Sequence, residues 1–141
     1  MKTVKLTNIE LNALNMLLAG NDPLLTALAH QFSVANVKSR EYTGYGFYLY
    51  FDVSGKVKKL YELLPVKKDF CFGDVHADFA ELKNGVGFLL WVKDGYLHSL
   101  EAHTYDEHWP ETTREISFRY LNSNEVKERS IESIRSKWDI S

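Results

Sequence analysis

The sequence has one cysteine, no long apolar run and no excess of basic residues. Because Cys71 stands alone, no internal disulfide can form, and this cysteine usage is typical of a reducing cytoplasm. No segment approaches the ~18 consecutive apolar residues of a transmembrane helix. The N-terminus, Met1 to Leu6, also lacks the apolar region of a signal peptide. These absences predict a cytoplasmic protein that does not bind or cross a membrane.

Signatures of catalysis and of cofactor binding are missing too. The chain contains no Gly-x-Ser-x-Gly nucleophile elbow, no P-loop, no His-Glu-x-x-His helix and no glycine-rich dinucleotide loop. Cys71 has no basic neighbour in the sequence, which indicates a structural cysteine. The sequence therefore predicts a protein that is not an enzyme, with no catalytic residue, no metal site and no cofactor.

Charge is distributed unevenly along the chain. Residues 71–112 contain two lysines against eight acidic residues, although the net charge of the whole chain is only −2. This acidic region argues against binding to nucleic-acid phosphates and favours a basic protein partner. The alternative is that the acids only keep the surface of a sheet soluble. The lysine-rich stretch 54–69 is interpreted as a solvated loop rather than a nucleic-acid site.

Local signals predict one domain over residues 1–141. Thr7 and Glu10 form a capping-box pattern at the start of one helix, and Asp22-Pro23 supplies the N-cap and first position of a second. Apolar alternation between turn signals then predicts strands within 34–41, 45–53, 70–103 and 115–121. A last helix begins at Asn124, with Ile131, Ile134 and Trp138 on one face. The predicted fold is α+β: an N-terminal helical hairpin packed on a mainly antiparallel sheet of about five to six strands, with a C-terminal helix.

Asn84-Gly85 and Asp94-Gly95 are the strongest turn signals, because two-residue hairpin turns of type I′ require positive φ at both positions. If both turns have two residues, Glu81 pairs with Phe88 and Asp78 pairs with Trp91. In the second hairpin, Trp91 then pairs with His98, and Phe88 with Glu101. One face of the three strands is apolar and is predicted to be core: Val75, Ala77, Phe79, Phe88, Leu90, Val92 and Leu97. The other face is mixed: Asp74, His76, Asp78, Leu89, Trp91, Lys93, Tyr96, His98 and Leu100.

The mixed face leaves two alternatives to a binding protein open. His76, Asp78 and His98 around Trp91 could form the site of a small hydrolase-like enzyme. The predicted distance of ~9–10 Å between Asp78 and His98 is, however, a poor fit for a metal ion. Glu81 and Glu101 on either side of Phe88 have a similar spacing, which an inverting hydrolase could use. The other alternative is a non-catalytic regulatory subunit.

Three segments carry a resemblance to a known family. They are Leu6-Thr7 to Leu18-Ala19-Gly20, then Arg40-Glu-Tyr-Thr-Gly-Tyr-Gly-Phe-Tyr48, and then Gly73-Asp-Val to Trp109-Pro110 with Gly87-Phe88, Asp94-Gly95, Leu100-Glu101 and Thr104-Tyr105. On these motifs the chain resembles a family of small, mostly uncharacterised bacterial proteins. Members look like the immunity side of toxin systems, including contact-dependent growth inhibition. The resemblance runs over most of residues 6–110 and departs from the family at Ala102-His103, where a small-aromatic pair is expected.

The resemblance implies cytoplasmic neutralisation of a cognate toxin by tight binding, with no catalytic residue to carry over. The acidic bias of residues 71–112 agrees with a toxin that has a basic surface, such as a nuclease. We predict that acidic side chains steer this partner and that aromatic side chains anchor it. The predicted contact residues are Glu81, Asp94, Glu101, Tyr105, Asp106, Glu107 and Trp109.

Overall fold

Six antiparallel strands form one sheet, in the order β1-β2-β5-β4-β3-β6. The structure is a computed structural model that describes residues 4–53, 55–121 and 129–140. The strands are β1 (Asn36–Tyr42), β2 (Gly46–Asp52), β3 (Phe70–Phe79), β4 (Val86–Lys93), β5 (Tyr96–Thr104) and β6 (Glu115–Tyr120). The helices are α1 (Asn8–Leu17), α2 (Pro23–Val34), α3 (Leu60–Leu63) and α4 (Glu132–Arg135). Two N-terminal helices, an antiparallel sheet and a short C-terminal helix confirm the predicted α+β fold.

Short-range capping interactions begin both N-terminal helices. The Thr7 hydroxyl accepts a hydrogen bond from the Glu10 N–H at 3.2 Å, and the Glu10 carboxylate accepts one from the Thr7 N–H at 2.8 Å. The predicted capping box is therefore confirmed. Asp22 accepts a backbone hydrogen bond at 2.9 Å from the start of α2, where Pro23 is the first residue. Glu10 is fully buried and pairs with Arg40 at 2.6 Å, which attaches α1 to the edge strand β1.

The helices cover one face of the sheet, where the hydrophobic core lies. The residues predicted for this face are all buried: Val75, Ala77, Phe79, Phe88, Leu90, Val92 and Leu97. The opposite face, which we call the open face, has half-buried side chains that do not belong to the core: Tyr48, Tyr50, Cys71, Leu89, Trp91, His98, Glu101 and His103. Leu100 was predicted for this face but is fully buried in the core. Asp74, also predicted there, is buried against Arg129.

The pairing of β3 with β4 differs from the prediction. Phe88 pairs with Val75, and Trp91 pairs with Cys71. The predictions that Glu81 and Asp78 occupy these positions are therefore wrong. Asn84-Gly85 is not a two-residue turn, because residues 80–85 form a longer connection between the two strands. The backbone N–H groups of Lys83 and Asn84 in this connection donate hydrogen bonds to the carboxylate of Glu107, which follows β5.

The second hairpin has the predicted turn but a different register. Asp94 and Gly95 have φ values of 48° and 76°, and Lys93 pairs with Tyr96 as expected. A β-bulge between Trp91 and Val92 then shifts the pairing by one residue. As a result, Trp91 pairs with Ser99 rather than with His98, and Phe88 pairs with Ala102 rather than with Glu101.

The C-terminal segment packs against the helix-covered face. Ile134 and Trp138 are buried, as their helical spacing predicts. The helix is short, because α4 spans Glu132–Arg135 and residues 129–131 are not α-helical. Asn124, the predicted N-cap, lies outside the described residues. In the part of the chain that the structure describes, no helix is long and apolar enough to cross a membrane.

Candidate protein-binding surface

Three connections meet at one end of the sheet and form a continuous surface, which we call the loop end. It consists of the β1–β2 turn (43–45), the β3–β4 connection (80–85) and the β5–β6 connection (105–114). The Thr104 N–H donates to the Tyr45 carbonyl at 2.8 Å, and the Trp109 N–H donates to the Gly44 carbonyl at 2.7 Å. Glu107 joins the other two connections through the N–H groups at 83 and 84. The strands thus support a loop surface whose parts are bonded to one another.

Exposed tyrosines are concentrated at this end. Tyr42, Tyr45 and Tyr105 are 63%, 51% and 39% exposed. Tyr45 stacks on His108 with ring centroids 5.0 Å apart, and Tyr105 stacks on His76 at 5.9 Å. These contacts restrict the rings while leaving them open to a partner, as interface anchors require.

Tyr105 reaches its position by crossing over Gly87 in β4. A Cβ atom at this glycine would lie 2.5 Å from the Tyr105 hydroxyl oxygen, well inside van der Waals contact. The Tyr105 ring also meets His103 edge-on, with centroids 5.2 Å apart. Burial raises the pKa of the Tyr105 hydroxyl, so it stays a neutral hydrogen-bonding group. Gly87 therefore allows an aromatic side chain of the loop end to lie on the open face.

Trp109, a predicted anchor, is half-buried on the core side of the loop end. Its ring meets Phe47 edge-on at 5.4 Å and Phe79 at 6.4 Å. Together with Tyr42 and Glu111, it lines a groove of about 390 Å³ that runs to the start of α1. Trp109 thus both supports the β5–β6 connection and contributes to its surface.

The structure brings most of the predicted contact residues together at the loop end: Glu81, Tyr105, Asp106, Glu107 and Trp109. Glu81 and Glu107 are occupied by internal contacts. The Glu81 carboxylate binds the Arg114 guanidinium and backbone N–H, both at 2.8 Å, and these hydrogen bonds lower its pKa. Asp106 and Glu111 are exposed, and no ion pair in the described ranges involves either of them. The acids available to a partner are therefore Asp106 and Glu111.

Two predicted contact residues lie away from the loop end. Asp94 is at the opposite end of the sheet, where it binds Lys59 and Tyr61, both at 2.9 Å. Its hydrogen bond with the Lys59 ammonium group lowers the pKa of its carboxyl. Glu101 is in the middle of the open face, where it accepts a hydrogen bond from the Trp91 indole at 3.0 Å. The seven predicted contact residues therefore do not all lie on one surface patch.

Sequence reasoning did not select Tyr42 and Tyr45 as contact residues. Their sequence signal is their position on either side of Thr43-Gly44, a short turn between two strands. A turn places the side chains that flank it at the rim of a sheet, and both tyrosines are exposed there.

The residues of the alternative enzyme site do not all converge. His76 Nε2 lies 3.3 Å from Asp78 Oδ1, whereas His98 contacts Tyr50 at 5.6 Å between ring centroids. His76 is level with Gly87, and His98 is beyond Trp91, which separates them by roughly 13 Å along the strands at about 3.3 Å per residue. Within residues 4–53, 55–121 and 129–140, no group of three or more His, Cys, Asp or Glu side chains could hold a metal ion.

The predicted carboxylate pair and Cys71 are the remaining candidates for catalysis. Glu81 lies in the β3–β4 connection against Arg114, so it does not flank Phe88 with Glu101 as predicted. Cys71 is half-buried on the open face, and burial raises the pKa of its thiol. A raised thiol pKa lowers the thiolate fraction, which agrees with the predicted structural role.

We expect Glu107→Ala to loosen the loop end without unfolding the sheet. The carboxylate accepts hydrogen bonds from the N–H groups of Lys83 (3.0 Å) and Asn84 (3.1 Å), which lower its pKa. Their loss should accelerate hydrogen exchange of both amides by about tenfold, measured by NMR. Amides of β2 and β5 are the internal control and should keep their rates. Equal acceleration throughout the sheet would contradict a local role.

The hydrogen exchange of the Lys83 and Asn84 amides in the wild type should depend on pH through the Glu107 carboxylate. Because the pKa of Glu107 is lowered by folding, its contribution is fully present above the ordinary carboxyl pKa. It is lost as the pH falls through the lowered value, where the carboxylate becomes protonated. The Lys83 and Asn84 amides should respond to acid in the wild type and not in Glu107→Ala.

The fold and the loop end define the molecule as an α+β protein with a six-stranded antiparallel sheet, one face of which is covered by the helices. No protein-family model, curated protein or solved structure matches the chain.

Proposed function

We propose that this chain is an immunity protein that binds and neutralises a cognate toxin in the bacterial cytoplasm, through the loop end. The observation that carries the proposal is the concentration of exposed Tyr42, Tyr45 and Tyr105 beside exposed Asp106 and Glu111. Tyrosine supplies contact area at low conformational cost, and unpaired acids steer a basic partner. The resemblance of most of residues 6–110 to a bacterial family whose members look like immunity proteins supports the same function.

Binding by the loop end needs a surface that keeps its shape. Thr104 and Trp109 are bonded to the β1–β2 turn, and Glu107 is bonded to the β3–β4 connection. Such preorganisation reduces the entropy lost when a partner binds. In this proposal Glu81 and Glu107 shape the surface, while Asp106, Glu111 and the aromatic residues contact the toxin.

The double reversal Asp106→Lys/Glu111→Lys should weaken toxin binding at least about tenfold, mainly by slowing association. The probe is the C-terminal domain of the large secreted protein expected to be encoded immediately upstream. Association and dissociation rates are measured by surface plasmon resonance at two salt concentrations, and protection is measured by co-expression with the toxin domain. The salt dependence of association should be smaller in the reversed variant.

The matched control is Glu62→Lys/Glu132→Lys, which makes the same change in net charge at exposed positions of α3 and α4. This control should bind and protect as the wild type does. If both double variants lose affinity equally, net charge rather than the loop end determines binding. If wild-type protein neither binds nor protects, the proposed function is wrong.

A further inference from the structure

Glu101 occupies a central position on the open face. It pairs with Tyr48 of β2 on one side and with Leu89 of β4 on the other. The Trp91 indole N–H donates to Glu101 Oε1 at 3.0 Å, a diagonal contact between β4 and β5. Burial, followed by the Glu101 carboxylate, raises the pKa of the Tyr48 hydroxyl. The carboxylate is therefore held between two aromatic side chains.

No cation of the described chain neutralises this carboxylate. Of the ion pairs found in residues 4–53, 55–121 and 129–140, none involves Glu101. A second acid, Glu41 of β1, is exposed beside Tyr48 and adds to the negative potential there. Lys93 and Lys38 act on another residue of this face, His98, whose pKa they lower after burial. The Glu101 carboxylate is thus held in place by a hydrogen bond and forms no ion pair with the described residues.

The aromatic neighbours suit a planar cation. The Tyr48 and Tyr50 rings are nearly parallel, with an interplanar angle of 14° and centroids 6.0 Å apart. Tyr50 in turn meets His98 edge-on. A guanidinium group can lie against aromatic faces while it donates paired hydrogen bonds to a carboxylate, whereas an ammonium group is a compact, strongly hydrated point charge.

We propose that Glu101, Tyr48 and Trp91 form a site for one arginine side chain of the partner protein. The inference rests on the proposed function, because it specifies the chemistry of the toxin surface that this chain recognises. Charge complementarity favours this occupant, since the open face offers a carboxylate that no cation among the described residues pairs with. The arginine site extends the interface from the loop end along β5, through His103, to the middle of the sheet.

The test uses ethylguanidinium chloride as a probe of the wild-type protein, followed by NMR of the tryptophan indole N–H signals. The Trp91 signal is assigned with Trp91→Phe. We expect saturable shifts of the Trp91 signal, and an apparent Kd at least about tenfold higher in Glu101→Gln, because a charge-assisted hydrogen bond is lost. Ethylammonium chloride at the same ionic strength should bind more weakly. Glu62→Gln, an exposed acid on α3, is the matched control and should titrate as the wild type does.

Several results would overturn the assignment. One is a Glu101→Gln variant that keeps native amide dispersion and titrates as the wild type does. Another is ethylammonium that binds as tightly as ethylguanidinium. The third is a Trp91 signal that shifts with a single-stranded oligonucleotide but not with ethylguanidinium. A Trp91 signal that moves with protein concentration alone would identify a second copy of the chain as the occupant. Failure of the two proposals is distinguishable. If Glu101→Gln still protects against the toxin, the arginine site is wrong and the immunity function stands. If the wild type binds the probe but does not protect, the immunity function is wrong.

Discussion

Replacing Arg129 with methionine is expected to lower the free energy of unfolding by about 3–5 kcal/mol. Arg129 Nε and Nη2 bind the two oxygens of Asp74 at 2.7 and 2.8 Å, and the side chains are 7% and 2% exposed. The guanidinium also donates to the Ala19 carbonyl at 2.9 Å and lies 5.1 Å from the centre of the Tyr120 ring. Methionine keeps much of the volume but leaves the Asp74 carboxylate buried without a counter-charge.

Urea unfolding monitored by circular dichroism measures this loss. The matched control is Arg119→Met, because Arg119 pairs with Asp78 at 3.5 Å at the surface, where the side chains are 55% and 41% exposed. That variant should lose less than about 1 kcal/mol. Adding Asp74→Asn to Arg129→Met should recover part of the stability, since the buried charge is removed. A similar loss in both arginine variants would show that burial of Asp74 is not the cause.

Trp138→Ala should destabilise the protein by about 3–5 kcal/mol as well, through lost packing rather than lost charge. Trp138 is 1% exposed, and its ring meets Phe72 edge-on at 4.9 Å and Phe70 at 6.4 Å. Its carbonyl accepts a hydrogen bond from the Lys67 N–H at 2.9 Å. Alanine at this position leaves a cavity between the C-terminal segment and β3, which rigid strands cannot close.

Thermal and urea unfolding should both register the Trp138 variant. Ile140→Ala is the control in the same segment, because Ile140 is 63% exposed and its truncation should change stability by less than about 0.5 kcal/mol. Trp138→Phe should fall between the control and the alanine variant, since it preserves part of the aromatic contact. If Trp138→Ala unfolds at the wild-type urea concentration, the C-terminal segment contributes no packing energy.

The parts of the fold that could be predicted from the sequence are those determined by residues close to one another in the chain. The Thr7 capping box, the Asp22-Pro23 helix start and the Asp94-Gly95 turn each involve a few consecutive positions, and each is confirmed. Asn84-Gly85 misled the register because Glu107, more than twenty residues later, fixes the longer connection. The bulge at Trp91 has no local signal either, and it moved Leu100 from the predicted mixed face into the core.

The candidate site shows the same division. Residue type and charge selected Tyr105, Trp109 and the acids of the β5–β6 connection from the sequence. The structure then divides the acids into two groups. Glu81 and Glu107 accept internal hydrogen bonds, whereas Asp106 is exposed and open to a partner. Tyr42 and Tyr45 became candidates only when the β1–β2 turn was placed beside that connection by two long-range backbone hydrogen bonds. No periodicity or spacing encodes that juxtaposition.

The contacts of the C-terminal segment with the N-terminal hairpin join residues that lie far apart in the sequence. Arg129 binds the Ala19 carbonyl across 110 residues of sequence, and Arg135 binds Asp22 across 113. During synthesis, α1 and α2 therefore lack these contacts until residues 129–135 have been made. Closing such long loops is slow and carries an entropic cost before any contact rewards it. The hairpin of α1 and α2 is thus made well before the residues whose contacts secure it.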